Sequence, residues 1–95
     1  LRETVRVAPG DPTAYHFLGI AYINRGDERA AATWLRRAAA LDPTDAWVQT
    51  RLGGTLVNTG RVDEGLAALD AAVRLDARLP TAHLFRGVAL GRKGD

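Results

Sequence analysis

The chain has 95 residues, of which 46% are hydrophobic and 25% charged, the proportions of an ordinary globular domain. It contains no Cys, which excludes disulfides, thiolate metal ligands and a Cys nucleophile. The net charge is only +2, acidic and basic residues alternate, and no apolar run approaches the roughly 20 residues that cross a bilayer, so we expect neither a nucleic-acid nor a membrane partner.

The origin of the chain is indicated only by its composition and its first residue. Lys93 is the single Lys among 13 basic residues, and Ala is abundant, which is typical of a GC-rich bacterial gene. The chain does not begin with Met and shows no signal peptide, so we interpret it as a piece of a longer protein. We expect a cytoplasmic location.

The first predicted elements are a helix end at residues 1–7 and a helix at residues 13–25. Asp11 can cap the helix at residues 13–25, and Pro12 suits its first turn, where N–H groups lack intrahelical partners. Gly26 can take the left-handed conformation that ends a helix. The apolar residues at helix spacing in 13–25 are Phe17, Leu18, Ala21 and Tyr22.

The next helix is predicted at residues 28–41. Asp27 can cap its start, and Asp42 ends it because a residue that precedes Pro avoids the helical region. One face of this helix carries Ala31, Leu35, Ala38 and Leu41.

An internal repeat of 34 residues organises the rest of the chain. The helix pair returns at residues 46–59 and 62–75, and a fifth helix is predicted at residues 80–92. The matching pairs include Leu18 and Leu52, Gly19 and Gly53, Asn24 and Asn58, Gly26 and Gly60, Leu35 and Leu69, and Ala38 and Ala72.

Period and residue pattern together resemble the tetratricopeptide repeat (TPR) family over essentially the whole chain. The second copy is weaker, with Gln49 at the aromatic position and Gly65 for Ala, and the third has His83 and Arg86 at the aromatic and Leu positions. The first copy carries the signature nearly in full, with Tyr15, Leu18, Gly19, Tyr22, Gly26, Asp27, Ala31, Leu35, Ala38 and Pro43.

The resemblance implies an all-α fold of helical hairpins stacked in a right-handed superhelix. We expect residues 1–10 to end a preceding repeat, 11–44 and 45–78 to form repeats, and 79–95 to supply the first helix of a third repeat or a cap. Further repeats flank the chain in one interpretation; in the other the last helix is terminal, which Arg86 favours because a charge there tolerates water. Uncovered ends also allow self-association, which a strict monomer in light scattering would contradict.

The resemblance further implies a protein or peptide partner in a concave groove lined by the first helix of each pair. Arg51 and Arg92 suit carboxylates. The apolar members can equally pack as core, and helix termination can explain Asn24 and Asn58. The predicted groove residues are His16, Phe17, Ile20, Asn24, Trp47, Arg51, Asn58, Leu84, Phe85, Val88 and Arg92.

A TPR subtype that grips chaperone C-termini is a poor match. It uses Lys, Asn and Arg at places that here hold His16, Ile20, Arg51, Thr81 and Phe85, of which only Arg51 suits an anion. Trp34 lies away from the groove, and we expect it on the convex side or in the seam to the next repeat.

No pattern in the sequence indicates catalysis, a metal or a cofactor. His16 and His83 lie on different helices without metal-ligand spacing, and the pairs of acidic residues open helices, where the dipole favours them. We therefore expect a non-enzymatic chain without cofactors. Two hypotheses stay open: a recognition module, and an architectural segment of a larger protein. Nucleic-acid binding by a related repeat is disfavoured by the 34-residue period and the apolar stripe.

Overall fold

The computed structural model describes residues 10–94, which form five helices joined by short turns. The helix bounds coincide with the predicted ones or differ by a single residue, and the all-α class is confirmed. The predicted helix end at residues 1–7 lies outside the described residues, and the repeat boundaries stay predictions. The helices are α1 (Pro12–Asn24), α2 (Glu28–Leu41), α3 (Ala46–Asn58), α4 (Val62–Leu75) and α5 (Pro80–Arg92).

Aspartate side chains start the first three helices. The Oδ1 atom of Asp11 accepts a hydrogen bond from the backbone N–H of Thr13 at 3.0 Å, and that of Asp27 accepts from Ala30 at 3.1 Å. Asp45 does the same at the start of α3. These bonds satisfy N–H groups that have no partner within the helix, so each helix begins where the local sequence provides a cap.

Glycines in the left-handed region fold each second helix back on the first. Gly26 has φ +83° and Gly60 has φ +90°, one 34-residue period apart. Directly after them, Asp27 donates its backbone N–H to the carbonyl of Tyr22 at 2.9 Å, and Arg61 donates to Leu56 at 2.8 Å. These bonds close the helix ends and fix the reversal of the chain.

Close crossing inside each hairpin depends on glycine and leucine. A Cβ atom on Gly19 would lie 2.6 Å from Leu35 Cγ, and one on Gly53 would lie 2.5 Å from Leu69 Cγ. In the second hairpin the backbone of Gly65 also packs against that of Gly53, so neither helix has a side chain at the crossing. Leu35 and Leu69 are fully buried as a result.

The hairpins stack so that α3 becomes the central helix. Leu35 of α2 shares a core cluster with Val48 and Leu52 of α3, whereas Val57 at the end of α3 packs with Ala89 of α5. Most of α3 is therefore buried, while α1 and α5 each bury only two residues. Of the first helices, α3 and α5 pack directly on each other, and α1, α3 and α5 all keep part of their surface open.

Two side chains make contacts that the sequence did not indicate. The ring of Trp34 stacks on Tyr15 of its own hairpin, with ring centroids 5.7 Å apart. The Nε atom of Arg86 lies 2.6 Å from Asp70 Oδ1 on α4. In both cases the angle between packed helices, which sequence spacing does not reveal, sets the contact.

Candidate functional site

Exposed apolar side chains mark the open face of the first helices. Phe17 on α1 is 63% exposed, Trp47 on α3 is 50% exposed and Leu84 on α5 is 65% exposed. Val88 is also exposed, and Ile20 is half-buried. Large apolar groups grouped on one face are typical of surfaces that bind other proteins.

Phe85, by contrast, belongs to the seam between first helices. It packs against the cluster of Val57, Leu69 and Ala89, and a Cβ on Gly54 would lie 2.9 Å from its ring. The ring of Phe85 therefore packs directly against the α3 backbone at Gly54. Phe85 fixes α5 on α3 and leaves little of its ring for a partner.

The polar groups at the far end of the predicted groove already have contacts within the chain. The amide of Asn58 donates to Glu28 Oε1 at 3.0 Å, and Arg92 Nη1 donates to the carbonyl of Val57 at 2.9 Å. Asn24 is exposed as the last residue of α1. The bonds of Asn58 and Arg92 tie neighbouring helices together, which gives both residues a structural role.

His16 and Arg51 form the polar centre of the face, on neighbouring first helices. The Nε2 atom of His16 and the Nε atom of Arg51 are buried, and neither has a hydrogen-bond partner among residues 10–94. Burial lowers the pKa of His16, and the nearby Arg51 guanidinium lowers it further, while the Asp45 carboxylate acts in the opposite direction. Unsatisfied buried polar atoms are costly, so a side-chain movement that opened these nitrogens to a ligand acceptor would relieve that cost.

Sequence reasoning found His16 and Arg51 separately but missed that Arg51 and Asp45 both lie near enough to His16 to shift its pKa. The available signal was the register. Arg51 lies one residue past the repeat equivalent of His16, and Asp45 caps the helix that carries Arg51. One period apart on adjacent helices means side by side in a stacked array.

The lowered pKa of His16 predicts a pH-dependent stability. The unfolded chain has a His pKa near 6.5, above that of the folded state, so it binds more protons as the pH falls. The free energy of unfolding should therefore decrease between about pH 7 and pH 5. Urea titrations followed by circular dichroism measure this decrease, which should be shallower for His16→Gln and for Arg51→Gln. An equally steep decrease in His16→Gln would contradict the assignment.

Other chemistries find little support in the part of the chain that the structure describes. Residues 10–94 contain no group of three or more His, Asp or Glu side chains placed to hold a metal ion. Within the same range, every helix is too short or too polar to cross a bilayer.

Comparison with known proteins agrees with the stacked-hairpin geometry. Two models of the tetratricopeptide repeat match the chain, one over residues 26–86 and one over residues 1–46. The chain belongs to the tetratricopeptide repeat family, whose members are helical solenoids that serve as protein-interaction modules.

Similar individual proteins are larger than this chain. Superkiller protein 3 of Saccharomyces cerevisiae is 25% identical over 81 residues, which are 85% of the chain and 6% of that protein. A mutant O-GlcNAc transferase of Thermobaculum terrenum is 38% identical with a TM-score of 0.82, covering 94% of the chain and 17% of the transferase. YrrB, described as a TPR protein with an unusual peptide-binding site, is 25% identical with a TM-score of 0.84, covering 88% of the chain and 43% of YrrB.

Proposed function

We propose that the open face of α1, α3 and α5 binds a segment of another protein that carries an acidic side chain beside an apolar one. The observation that carries the proposal is the pair of buried, unpartnered nitrogens on His16 and Arg51, flanked by exposed Phe17 and Trp47. We call these four residues the groove centre.

The polar pair and the aromatic pair of the groove centre each bind a different part of the partner. A carboxylate can accept a hydrogen bond from the Arg51 guanidinium and a second one from the Nε2–H tautomer of neutral His16, and bonds to charged groups are stronger than neutral ones. Phe17 and Trp47 offer apolar surface on either side, and aromatic and Arg residues dominate the energetics of protein interfaces. The peptide-binding site attributed to YrrB supports a peptide as the partner.

The alternative, a purely architectural segment, makes the opposite prediction for these four residues. An architectural role needs only the seams between helices, such as Phe85 against Gly54. It gives no reason for two buried nitrogens on the open face. The groove proposal therefore accounts for more of the described structure.

Selection of short random peptides displayed on phage tests the proposal. The 95-residue chain should enrich peptides with an acidic residue next to an aromatic or aliphatic one. A synthetic peptide of that kind, followed by fluorescence polarisation, should bind Arg51→Gln about ten-fold more weakly than the wild type, since one charge-assisted hydrogen bond is lost. Phe17→Ser should weaken it comparably.

Arg74→Gln is the matched control. Arg74 is exposed in the last turn of α4, so this substitution removes the same charge at a position away from the groove centre. Its affinity should stay at the wild-type level. Equal affinity of all three variants, with circular dichroism confirming that each is folded, would favour the architectural alternative.

A further inference from the structure

A cavity of about 360 Å³ lies between α2 and the turn that joins α3 to α4. None of the predicted groove residues lines it, so it is separate from the groove centre. We call it the arginine pocket. Its lining residues are Arg29, Ala32, Thr33 and Arg36 of α2, Leu56 of α3, and Thr59 and Arg61 of the α3–α4 turn.

Positive charge dominates the rim of the arginine pocket. Arg29 and Arg36 lie on α2 at a spacing of seven residues, two helical turns on one side, and Arg61 faces them from the turn. Glu64 is the nearby counter-charge: its Oε2 lies 2.8 Å from Arg36 Nη2, and its Oε1 lies 4.0 Å from Arg61 Nη1. Arg29 forms no ion pair with any residue from 10 to 94. Glu64 thus serves two of the three guanidinium groups, and Arg29 is left without a carboxylate partner among residues 10–94.

The floor of the arginine pocket is apolar and well packed. Ala32 and Leu56 are buried beneath the rim. Thr33 donates its hydroxyl proton to the carbonyl of Arg29, and Thr59 donates to carbonyls of its own helix end. Both hydroxyl protons are therefore already engaged, so the contacts to an anionic ligand fall to the three arginines.

We propose that the arginine pocket binds a phosphate monoester. The three arginines outnumber the two carboxylates near the pocket, Glu64 and the Glu28 that accepts a bond from Asn58, so the rim stays positive. A phosphate monoester carries a charge of about −1.5 to −2 near neutral pH and is attracted to such a rim. The planar guanidinium fork fits phosphate oxygens bidentately. A carboxylate ligand matches less well, because Glu64 already provides one and the surplus charge remains.

Two sources supply this chemistry: a phosphorylated side chain of a partner protein, and a small phosphorylated molecule. Because second helix α2 forms one wall of the arginine pocket and the groove centre lies on first helices, both sites can be occupied together. A partner segment in the groove and a phosphate on the other side would then be independent contacts.

Titration of the isotope-labelled 95-residue chain, monitored by its NMR amide and arginine Nε–H signals, tests the proposal. Phenyl phosphate and a capped phosphoserine peptide are the two probes, and phenyl sulfate is the singly charged comparison. The signals of Arg29, Arg36 and Arg61 should shift saturably, and phenyl sulfate should bind more weakly than phenyl phosphate. Tighter binding of the phosphoserine peptide supports a modified protein, and tighter binding of phenyl phosphate supports a small molecule.

Two pairs of variants separate the arginine pocket from general attraction to a basic protein. Arg29→Gln should weaken phosphate binding about ten-fold, whereas Arg74→Gln, with the same charge change, should not. Glu64→Gln should tighten binding by several-fold, whereas Asp63→Asn, one residue earlier, should leave it unchanged.

Phosphate binding must also survive Arg51→Gln, since the groove centre is a separate site. The proposal is overturned if no probe gives saturable shifts. It is equally overturned if Arg29→Gln and Arg74→Gln weaken binding by the same factor.

Discussion

Replacing Leu69 with Ala is expected to lower the free energy of unfolding by about 3 kcal/mol. Leu69 is fully buried, packs with Val57 and Ala89, and fills the space left bare by Gly53. Its truncation removes apolar burial and leaves a cavity that two close-packed helices cannot collapse. A domain of this size has only about 5–15 kcal/mol of total stability, so the loss is large.

Urea unfolding followed by circular dichroism measures the effect of Leu69→Ala. Leu84→Ala removes the same atoms from a side chain that is 65% exposed, and it should change the free energy of unfolding by no more than about 0.5 kcal/mol. Similar losses in the two variants would mean that Leu84 is covered in solution, either by another copy of the chain or by residues outside 10–94.

Gly53→Ala is expected to destabilise the chain by about 2 kcal/mol even though Ala is the better helix former. The added Cβ would lie 2.5 Å from Leu69 Cγ and 2.9 Å from the carbonyl oxygen of Gly65. A leucine side chain can rotate, but the backbone of Gly65 cannot move without displacing α4. The strain should therefore exceed the gain of about 1 kcal/mol from helix propensity.

Gly87→Ala is the matched control for the crossing at Gly53. Gly87 is the repeat equivalent of Gly53 on α5, where a Cβ would meet nothing within 4 Å. This variant should gain about 0.5–1 kcal/mol, because only helix propensity changes. Both variants are compared with wild type by urea unfolding. A loss in Gly87→Ala would indicate that another helix packs on α5 in solution.

The groove and the arginine pocket arise from the same geometric constraint. A helix in a stacked hairpin cannot bury its whole circumference, so α1 buries Leu18 and places Gly19 against Leu35 of α2, while Phe17 stays exposed. Side chains that remain open on the first helices form the groove centre. The part of the α2 surface that does not pack in the core carries Arg29 and Arg36.

The sequence by itself determined the helices and the period. The starts of α1, α2 and α3 depend on a neighbouring aspartate, such as Asp27 with Ala30, and Gly26 ends α1 with its left-handed φ, so local chemistry was sufficient there. The repeat of Gly19 at Gly53 and of Leu35 at Leu69 indicated which helices cross. Exposed apolar positions such as Phe17 and Trp47 could also be placed on the open face from helix spacing and register.

Only the tertiary structure decided which of the predicted groove residues are available. Phe85 packs in the seam because Gly54, on a different helix, leaves room for its ring. Arg92 donates a hydrogen bond to the carbonyl of Val57. Arg51 lies near enough to His16 to shift its pKa, and Arg29 and Arg61 line one pocket, although each pair is far apart in sequence. Helix spacing fixes the direction of a side chain around its own axis, but the angle and distance between packed helices decide what that side chain touches.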